Sequence, residues 1–429
     1  VEDEETDVNF YSTFAQPAMI ALARAGNRGV RVDVGLRKTL ELKAEQQKEE
    51  TTEKLLKILG HEVNPNSPKQ VKELLYEELG LPEQHKRKVG GRGIGAVTSD
   101  EEAIKKLRRL DPTKSDVLDL LLDFRGFSKM ASSMRTLLEE REGESYFVTS
   151  YNATGTTTGR ISSSQTILGL GGNLQNQARG PSRRIFVPRK GYCFVKADAS
   201  QAEARVVAVL MGDEKLQAQF ADPSWDVHLE NAQLLYGGTL EELREEDARR
   251  ERKEVRDSRR RKTKAITHGA NYKGGPHVVV KSADIPYNEA KLMIAKYRRL
   301  HPLLLFWWEK VEALVRSRGV MKTTWGRIRI FLGRIDEATF RAAVAHEPQS
   351  TVGDLINRAF FRLDARGEGK WWPLLQVHDE IVCEVRKEDV EEVIAAMREE
   401  FTFPMEGLGG LSIPVEVAVG DNWYDVKEI

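Results

Sequence analysis

Two short apolar runs, far apart in the chain, each bring an aspartate to a strand-like segment. Tyr192-Cys193-Phe194-Val195-Lys196-Ala197 leads into Asp198, while Leu374-Leu375-Gln376-Val377 and Ile381-Val382-Cys383-Glu384-Val385 flank the tight turn His378-Asp379-Glu380. Apolar runs of this length, bounded by turn formers, are β-compatible. A sheet that pairs them brings the two carboxylates together. Two such groups can hold a pair of Mg2+ ions about 3.5–4 Å apart, which activates an attacking hydroxyl and stabilises a leaving phosphate. The alternative for either aspartate alone is that it ends a strand or caps the next helix.

Elsewhere the periodicity is mostly helical. Residues from about Val8 to Leu59 form a helical pattern, broken at Gly26-Asn27-Arg28-Gly29 and resuming as a charged amphipathic stretch from Val34. Asn64-Pro65-Asn66-Ser67-Pro68 is a turn that caps a helix over Lys69 to Leu79, and Thr98-Ser99-Asp100-Glu101 caps another. Between them, His85 to Gly95 is basic, glycine-rich and coreless, so a loop is expected; its glycines fail the dinucleotide-binding spacing. Asp116 to Glu142 continues as helix with Arg125, Lys129 and Arg135. The texture turns to Ser, Thr, Gly and Asn near residue 147, becomes helical from Ser200 to about Val320, and closes with a strand over Ile413 to Val419. Helical blocks around a few strands from distant segments imply an α+β fold with an antiparallel sheet. No internal repeat is present.

A chain of 429 residues exceeds one hydrophobic core, so two to four subdomains are expected. No apolar run approaches the roughly 20 residues of a membrane span, which excludes a membrane protein of that kind. Cys193 and Cys383 cannot form a disulfide framework and lack zinc-site neighbours, so a reducing, cytoplasmic compartment fits. Val1 is followed by four acidic residues, unlike an export signal; the absent initiator Met suggests a piece of a longer chain or a processed product. Lys plus Arg and Asp plus Glu are balanced at 66 each, so a nucleic-acid partner requires charge sorted locally.

One such sorting is visible. Arg260, Lys264 and His268 recur every four residues and share one helix stripe, with Tyr272 a turn further on. A guanidinium for bidentate contacts and an ammonium as a point charge suit a triphosphate. By itself the stripe shows only affinity for anions, because a basic run such as Arg249 to Lys264 is usually a solvated face.

The residues around these features carry a resemblance. Asp198-Ala199-Ser200-Gln201-Ala202-Glu203-Ala204-Arg205 resembles motif A of the family A DNA polymerases, the bacterial DNA polymerase I family. Arg260-x3-Lys264-x3-His268-Gly269-x2-Tyr272 resembles motif B, and Val377-His378-Asp379-Glu380 resembles motif C. Thr158-Gly159-Arg160-Ile161-Ser162-Ser163-Ser164 and Asn173-Leu174-Gln175-Asn176 are similar to the two signatures that precede motif A in that family. The likeness extends to Asn64-Pro65-Asn66-Ser67, Phe124-Arg125-x3-Lys129, Thr324-Trp325-Gly326-Arg327, Pro348-Gln349-Ser350 and Val417 to Trp423. His268-Gly269-x-Asn271-Tyr272 is similar to some viral members.

The resemblance implies a right-hand fold with an antiparallel-sheet palm, helical fingers and helical thumb. Residues 1–35 would pack on the palm, 36–145 form the thumb, 146–205 and 335–429 the palm, and 206–334 the fingers, with the motif B helix at about 259–273. It implies template-directed addition of dNTPs to a primer 3′-hydroxyl with release of pyrophosphate. Asp198, Asp379 and the Ala199 carbonyl would hold two Mg2+ ions, for which Mn2+ can substitute. Arg260, Lys264 and His228 would grip phosphates, with Lys264 also protonating the pyrophosphate. Glu203, bonded to Tyr272, would exclude a ribose 2′-hydroxyl, and Gln201 and His268 would complete the nucleotide pocket. Arg160, Gln349 and His378 would meet the primer terminus or the minor groove. Lys129, Lys86, Arg87, Lys88, Asn173, Gln175 and Asn176 would hold the duplex; Asn173 and Asn176 could equally be turn formers, and His378 a turn residue.

Partners are primer-template DNA and dNTPs, with a separate exonuclease or replication accessory protein as a further candidate. Both exonuclease domains are expected to be absent from this chain. His268 stands where the family usually has an aromatic Phe or Tyr, Ala199 replaces a common aromatic, Lys273 replaces a glycine, and Ile167 to Gly172 looks inserted, with no assigned role. A single-subunit RNA polymerase resembles the chain less at Glu203. A catalytically silent relative is disfavoured by the joint presence of both aspartates, the Arg-Lys pair and Glu203.

Overall fold

Strand Tyr192–Ala199 alternates Val195, Ala197 and Ala199 with Lys196 and Asp198, so one face is apolar and the other carries charge. It lies at the centre of a five-stranded sheet in the order Trp371–Val377, Glu380–Arg386, Tyr192–Ala199, Val415–Gly420, Val426–Glu428. Every pairing is antiparallel. The apolar face, with Ile381, Cys383, Val385 and Val417, packs against helices Glu337–Arg366 and Val390–Phe401. Burying an Ile or Val there contributes about 1.5–3 kcal/mol each, which fixes the register, since a one-residue slip would turn this set toward solvent.

The computed structural model describes residues 10–87, 94–178, 180–222, 224–251, 254–255 and 257–429. The chain divides into two units, Val34–Thr136 and the remainder. In the smaller, helices Val34–Leu59 and Ser115–Met134 pack together, and Leu55, Leu74, Leu75, Ile104, Leu107, Leu118 and Leu121 form the core. Ser67 and Asp100 cap the helices starting at Pro68 and Glu101 through side-chain bonds to Gln70 N and Ala103 N. In the larger unit a second core gathers under the helices between Ala202 and Arg318, around Ile266, Ala270, Tyr297, Trp307 and Trp308. Among the described residues no helix is long and apolar enough to cross a membrane.

Four local expectations are corrected. The basic stretch after His85 is not wholly loop: His85–Arg87 pairs antiparallel with Ile94–Val97. The helix from Ser115 ends at Met134, and Glu139–Arg141 instead pairs with Glu144–Phe147. Glu142 and Gly143 both have positive φ, 51° and 81°, and this two-residue reversal suits a hairpin that helical periodicity does not register. The turn is shorter than expected: Glu380 begins a strand and the reversal is His378-Asp379, with His378 at φ 58°, while Asp198 sits near the end of its strand as expected. The last apolar run forms its strand over Val415–Gly420, followed by Val426–Glu428.

Candidate active site

Register creates the acidic part of the site. Asp198 lies opposite Glu380 on one neighbouring strand and opposite Glu416 on the other. Asp379 occupies the turn just before Glu380, and its carbonyl accepts the Ala199 N–H at 3.0 Å. Like charges directly opposed across strands are destabilising. Accordingly, burial and then the Glu380 charge push the Asp198 carboxyl up to about 7, with Asp379 and Glu416 adding to it and Lys196 opposing. Burial followed by Glu203 also raises Asp379, against Arg160, His378 and Lys264.

These residues fit divalent cations. Asp379 Oδ1 is buried with no hydrogen-bond partner, and a buried carboxylate oxygen of this kind calls for positive charge. Glu380 is held otherwise: Oε1 accepts the Trp423 indole N–H at 2.8 Å, and Oε2 lies 3.2 Å from Lys196 Nζ. No group of three or more His, Cys, Asp or Glu converges on one point among the described residues, so the candidate ligands remain Asp198, Asp379 and backbone.

A tight reversal at Gln201, φ 53°, turns the Asp198 strand into helix Ala202–Leu210 and puts Glu203 in its first turn. Glu203 Oε2 accepts the Tyr272 hydroxyl at 2.5 Å and lies 3.6 Å from His268 Nδ1, while Oε1 pairs with Arg160. Burial and then Glu203 raise the Tyr272 pKa, so the phenol stays protonated and donates. The His268 and Tyr272 rings meet edge to face at 5.0 Å. Gln201 bonds the Trp225 carbonyl at 3.1 Å and the Val227 N–H at 3.0 Å, so its side chain braces the segment leading to His228.

The helix Arg259–Asn271 starts at Ser258, whose side chain caps Arg261 N. Lys264 and His268 are exposed along one stripe of it. Arg260 is already ion-paired: Nε and Nη2 lie 2.9 and 2.6 Å from Asp226 Oδ2, and Nη1 lies 3.3 Å from Asp247 Oδ2. Asp226 uses its other oxygen to cap helix Val227–Tyr236 through His228 N and Leu229 N. Burial would raise Asp226, but Arg260 outweighs it and holds the carboxyl below its ordinary range. His228 is pushed down to about 3 by burial and then Lys264, so it is neutral and can donate only as an imidazole.

Behind Arg160, Gln376 Nε2 bonds Asn357 Oδ1 at 2.9 Å, and Asn357 Nδ2 bonds the Gly159 carbonyl at 3.1 Å. Gly159 has φ 77°, and a side chain there would strike Arg327, itself pinned at 2.6 Å to buried Asp354. Asn173 Oδ1 accepts the Ser163 hydroxyl and the Asn176 N–H, each at 2.9 Å, and so shapes a local turn; Asn176 is exposed. Gln175 and Gln349 are half-buried, and His378 is exposed. Lys86 and Lys129 are exposed on the smaller unit, Arg87 lies in its strand, and Lys88 and Arg92 fall outside the described residues. The partners that sequence reasoning left without a role are Asp226, Asp247, Glu380 and Glu416. The strand alternation at Glu380 and Glu416 is a signal that could have found the latter two.

An antiparallel sheet that ends in paired carboxylates, beside a helix bearing an arginine-lysine stripe, has the architecture of the polymerase class. A family model described as DNA polymerase family A matches residues 36–425, and the chain belongs to that family. It is 33% identical over 447 residues to "DNA polymerase I, thermostable" of Thermus thermophilus, covering 100% of this chain and 50% of that protein. It is 30% identical over 433 residues to DNA polymerase I of Pseudomonas aeruginosa, covering 95% and 43%. The POL domain of Pol1 from M. smegmatis, in complex with DNA primer-template and dNTP, superposes with a TM-score of 0.80 at 26% identity, covering 98% of this chain and 72% of that one. The right-hand α+β fold is thus shared. The chain spans about half the length of the curated relatives it matches. Family A polymerases are generally metal-dependent.

Proposed function

We propose that this chain is a template-directed DNA polymerase that adds dNTPs to a primer 3′-hydroxyl and releases pyrophosphate. The observation that carries the reading is that Asp198, near the end of the central strand, lies beside the turn holding Asp379, whose carbonyl takes the Ala199 N–H and whose Oδ1 is buried and unpaired. Asp198 and Asp379 would hold two Mg2+ ions, or Mn2+ in their place, joined by the Ala199 carbonyl. When bound, such ions lower the pKa of an attacking hydroxyl and neutralise charge on the transferring phosphate.

The protein's own groups do the positioning, which supplies most of the rate in phosphoryl transfer. Arg260 and Lys264 take the β- and γ-phosphates, Arg260 exchanging its carboxylate partners for phosphate oxygens. Lys264 gives a proton to the departing pyrophosphate, and neutral His228 donates one hydrogen bond. Glu203, fixed by Tyr272 and Arg160, occupies the space a ribose 2′-hydroxyl would need, so deoxynucleotides are preferred. Residues 36–145 act as thumb, 206–334 as fingers, and 146–205 with 335–429 as palm, with residues 1–35 packed on it. Arg160, Gln349, His378, Lys129, Lys86, Arg87, Lys88, Asn173, Gln175 and Asn176 contact DNA in the same reading.

The test is primer extension on a template with Mg2+, comparing the unmodified chain with Asp198→Asn and Asp379→Asn. Extension by the parent and loss in both variants is expected; equal extension by all three removes the assigned site. Glu203→Ala should raise the ratio of ribonucleotide to deoxynucleotide incorporation, and an unchanged ratio would refute the gate.

A further inference from the structure

Ile167 and Leu168 form an apolar tip that the reading above does not use. Ile167 is fully exposed and Leu168 is 77% exposed. The loop that carries them is held by its own backbone and at its neck. Thr166 N–H donates to the Leu170 carbonyl at 3.1 Å, Leu170 N–H donates to the Thr166 hydroxyl at 3.2 Å, and Gly169 N–H donates to the Thr166 carbonyl at 2.9 Å. Gly171 N–H donates to Leu137 O at 2.7 Å, and the Thr149 hydroxyl lies 3.2 Å from Ser164 O and 2.7 Å from Gly172 O. Gly171 has φ 64°, and a Cβ there would collide with the Val148 carbonyl oxygen. Two large apolar side chains are therefore presented to solvent on a fixed support.

We propose that this tip enters the minor groove of the primer-template duplex a few base pairs behind the primer terminus and anchors it. The inference builds on the polymerase reading. Its first support is position. The loop leaves strand Ser162–Ser164, which follows the active-site residue Arg160, and its far end runs into Asn173, which is bonded to Ser163. Seven residues of chain reach at most about 24 Å, or roughly seven base pairs at ~3.4 Å each.

The second support is charge. From Ser145 to Ala197 the chain has no Asp or Glu but seven Lys or Arg, although acids and bases are equal overall at 66 each. Arg160, Arg184, Arg189 and Lys196 pair with carboxylates from other segments, so the support lies in the absence of acids beside the loop rather than in net positive charge. A segment cleared of carboxylates suits a polyanion.

The third is size. Two side chains offer at most a few hundred Å2, below the roughly 800 Å2 per partner of a stable protein interface. One or two apolar residues are, however, a usual wedge in a minor groove.

The experiment compares the unmodified chain, the double variant Ile167→Ser with Leu168→Ser, and the conservative pair Ile167→Val with Leu168→Met. Dissociation constants for a primer-template with about 12 base pairs of duplex are measured by fluorescence anisotropy across a salt series. The Ser variant should bind about tenfold more weakly with an unchanged salt slope, because only apolar contact is lost. The Val and Met variant should retain affinity. All three should bind alike when the duplex behind the primer is cut to about three base pairs, and should incorporate a single nucleotide equally fast at saturating DNA. Equal affinity of the Ser variant on the long duplex, a changed salt slope, or a loss that persists on the short duplex overturns the inference while leaving the polymerase reading intact. Failure of the unmodified chain to bind and extend the primer would overturn both.

Discussion

The acidic edge formed by the strand ends of the sheet and the basic stripe of the Arg259–Asn271 helix, which the proposed reading assigns to the same chemistry, stand in opposite electrostatic conditions. At the edge, Asp198 is opposed by Glu380 and Glu416 and accompanied by Asp379, so carboxylates crowd one another and Asp379 Oδ1 has no partner. On the stripe, Arg260 is compensated by Asp226 and Asp247. The edge gains by acquiring cations. Arg260 can bind an anion only by exchanging partners. Pre-organisation is thus costly in different currencies: like-charge repulsion in one region, and competition from internal carboxylates in the other.

The largest effect should come from the edge. Asp198→Asn or Asp379→Asn should cut primer extension by about a thousandfold or more, comparable with losses when transition-state charge is left unstabilised. A chelator should do the same to the unmodified chain. Without metal, Asp198→Asn should also melt at a higher temperature in calorimetry, since one of the opposed charges is gone. A lower melting temperature would break the contrast between the two regions.

On the stripe, Arg260→Ala should raise KM for dNTP by roughly 10- to 100-fold, the value of one charged hydrogen-bonding group, read by steady-state kinetics. An unchanged KM would show that Arg260 belongs to its carboxylates rather than to the nucleotide.

Beside the stripe, His228 on helix Val227–Tyr236 predicts a dependence on pH, being held neutral by burial and then by the Lys264 charge. His228 is near 3 in the folded chain against an ordinary 6.5, so the unfolded chain binds the extra proton between those values. Stability is therefore full above pH 6.5 and falls as pH drops toward 3. Urea unfolding at pH 4.5 and 7.5 should show about 2–3 kcal/mol more acid loss in the unmodified chain than in His228→Gln. The smallest effect should be Asp247→Asn, which removes one competitor and should lower KM for dNTP by about two- to fivefold.

Much of this site was legible in the residues themselves. The apolar runs around Asp198 and Asp379 predicted strands, and the four-residue spacing of Arg260, Lys264 and His268 predicted a shared helix stripe. Both are short-range patterns set by backbone geometry. The Asp226 and Asp247 cradle was not legible, because carboxylates abound in this charged chain and nothing in Asp226-Val227-His228 or Glu241 to Arg250 names an ion-pair partner. Asn173 was legible only in part: its Oδ1 is held by Ser163 and Asn176 in a local turn, which the sequence offered as one of two roles. The hairpin at Glu142-Gly143 was not legible, because its two positive φ angles override a helical-looking run.

Sequence alone determined most of the long helices, the strands around the two aspartates, and the family that the motifs resemble, because periodicity and motif spacing are local properties of the chain. Only the tertiary structure decided that Glu380 and Glu416 confront Asp198, that Arg260 is claimed by two carboxylates, and that Ile167 and Leu168 project from a pinned loop. Those facts depend on strand register and on contacts between distant residues, which many arrangements of the same local elements would satisfy differently.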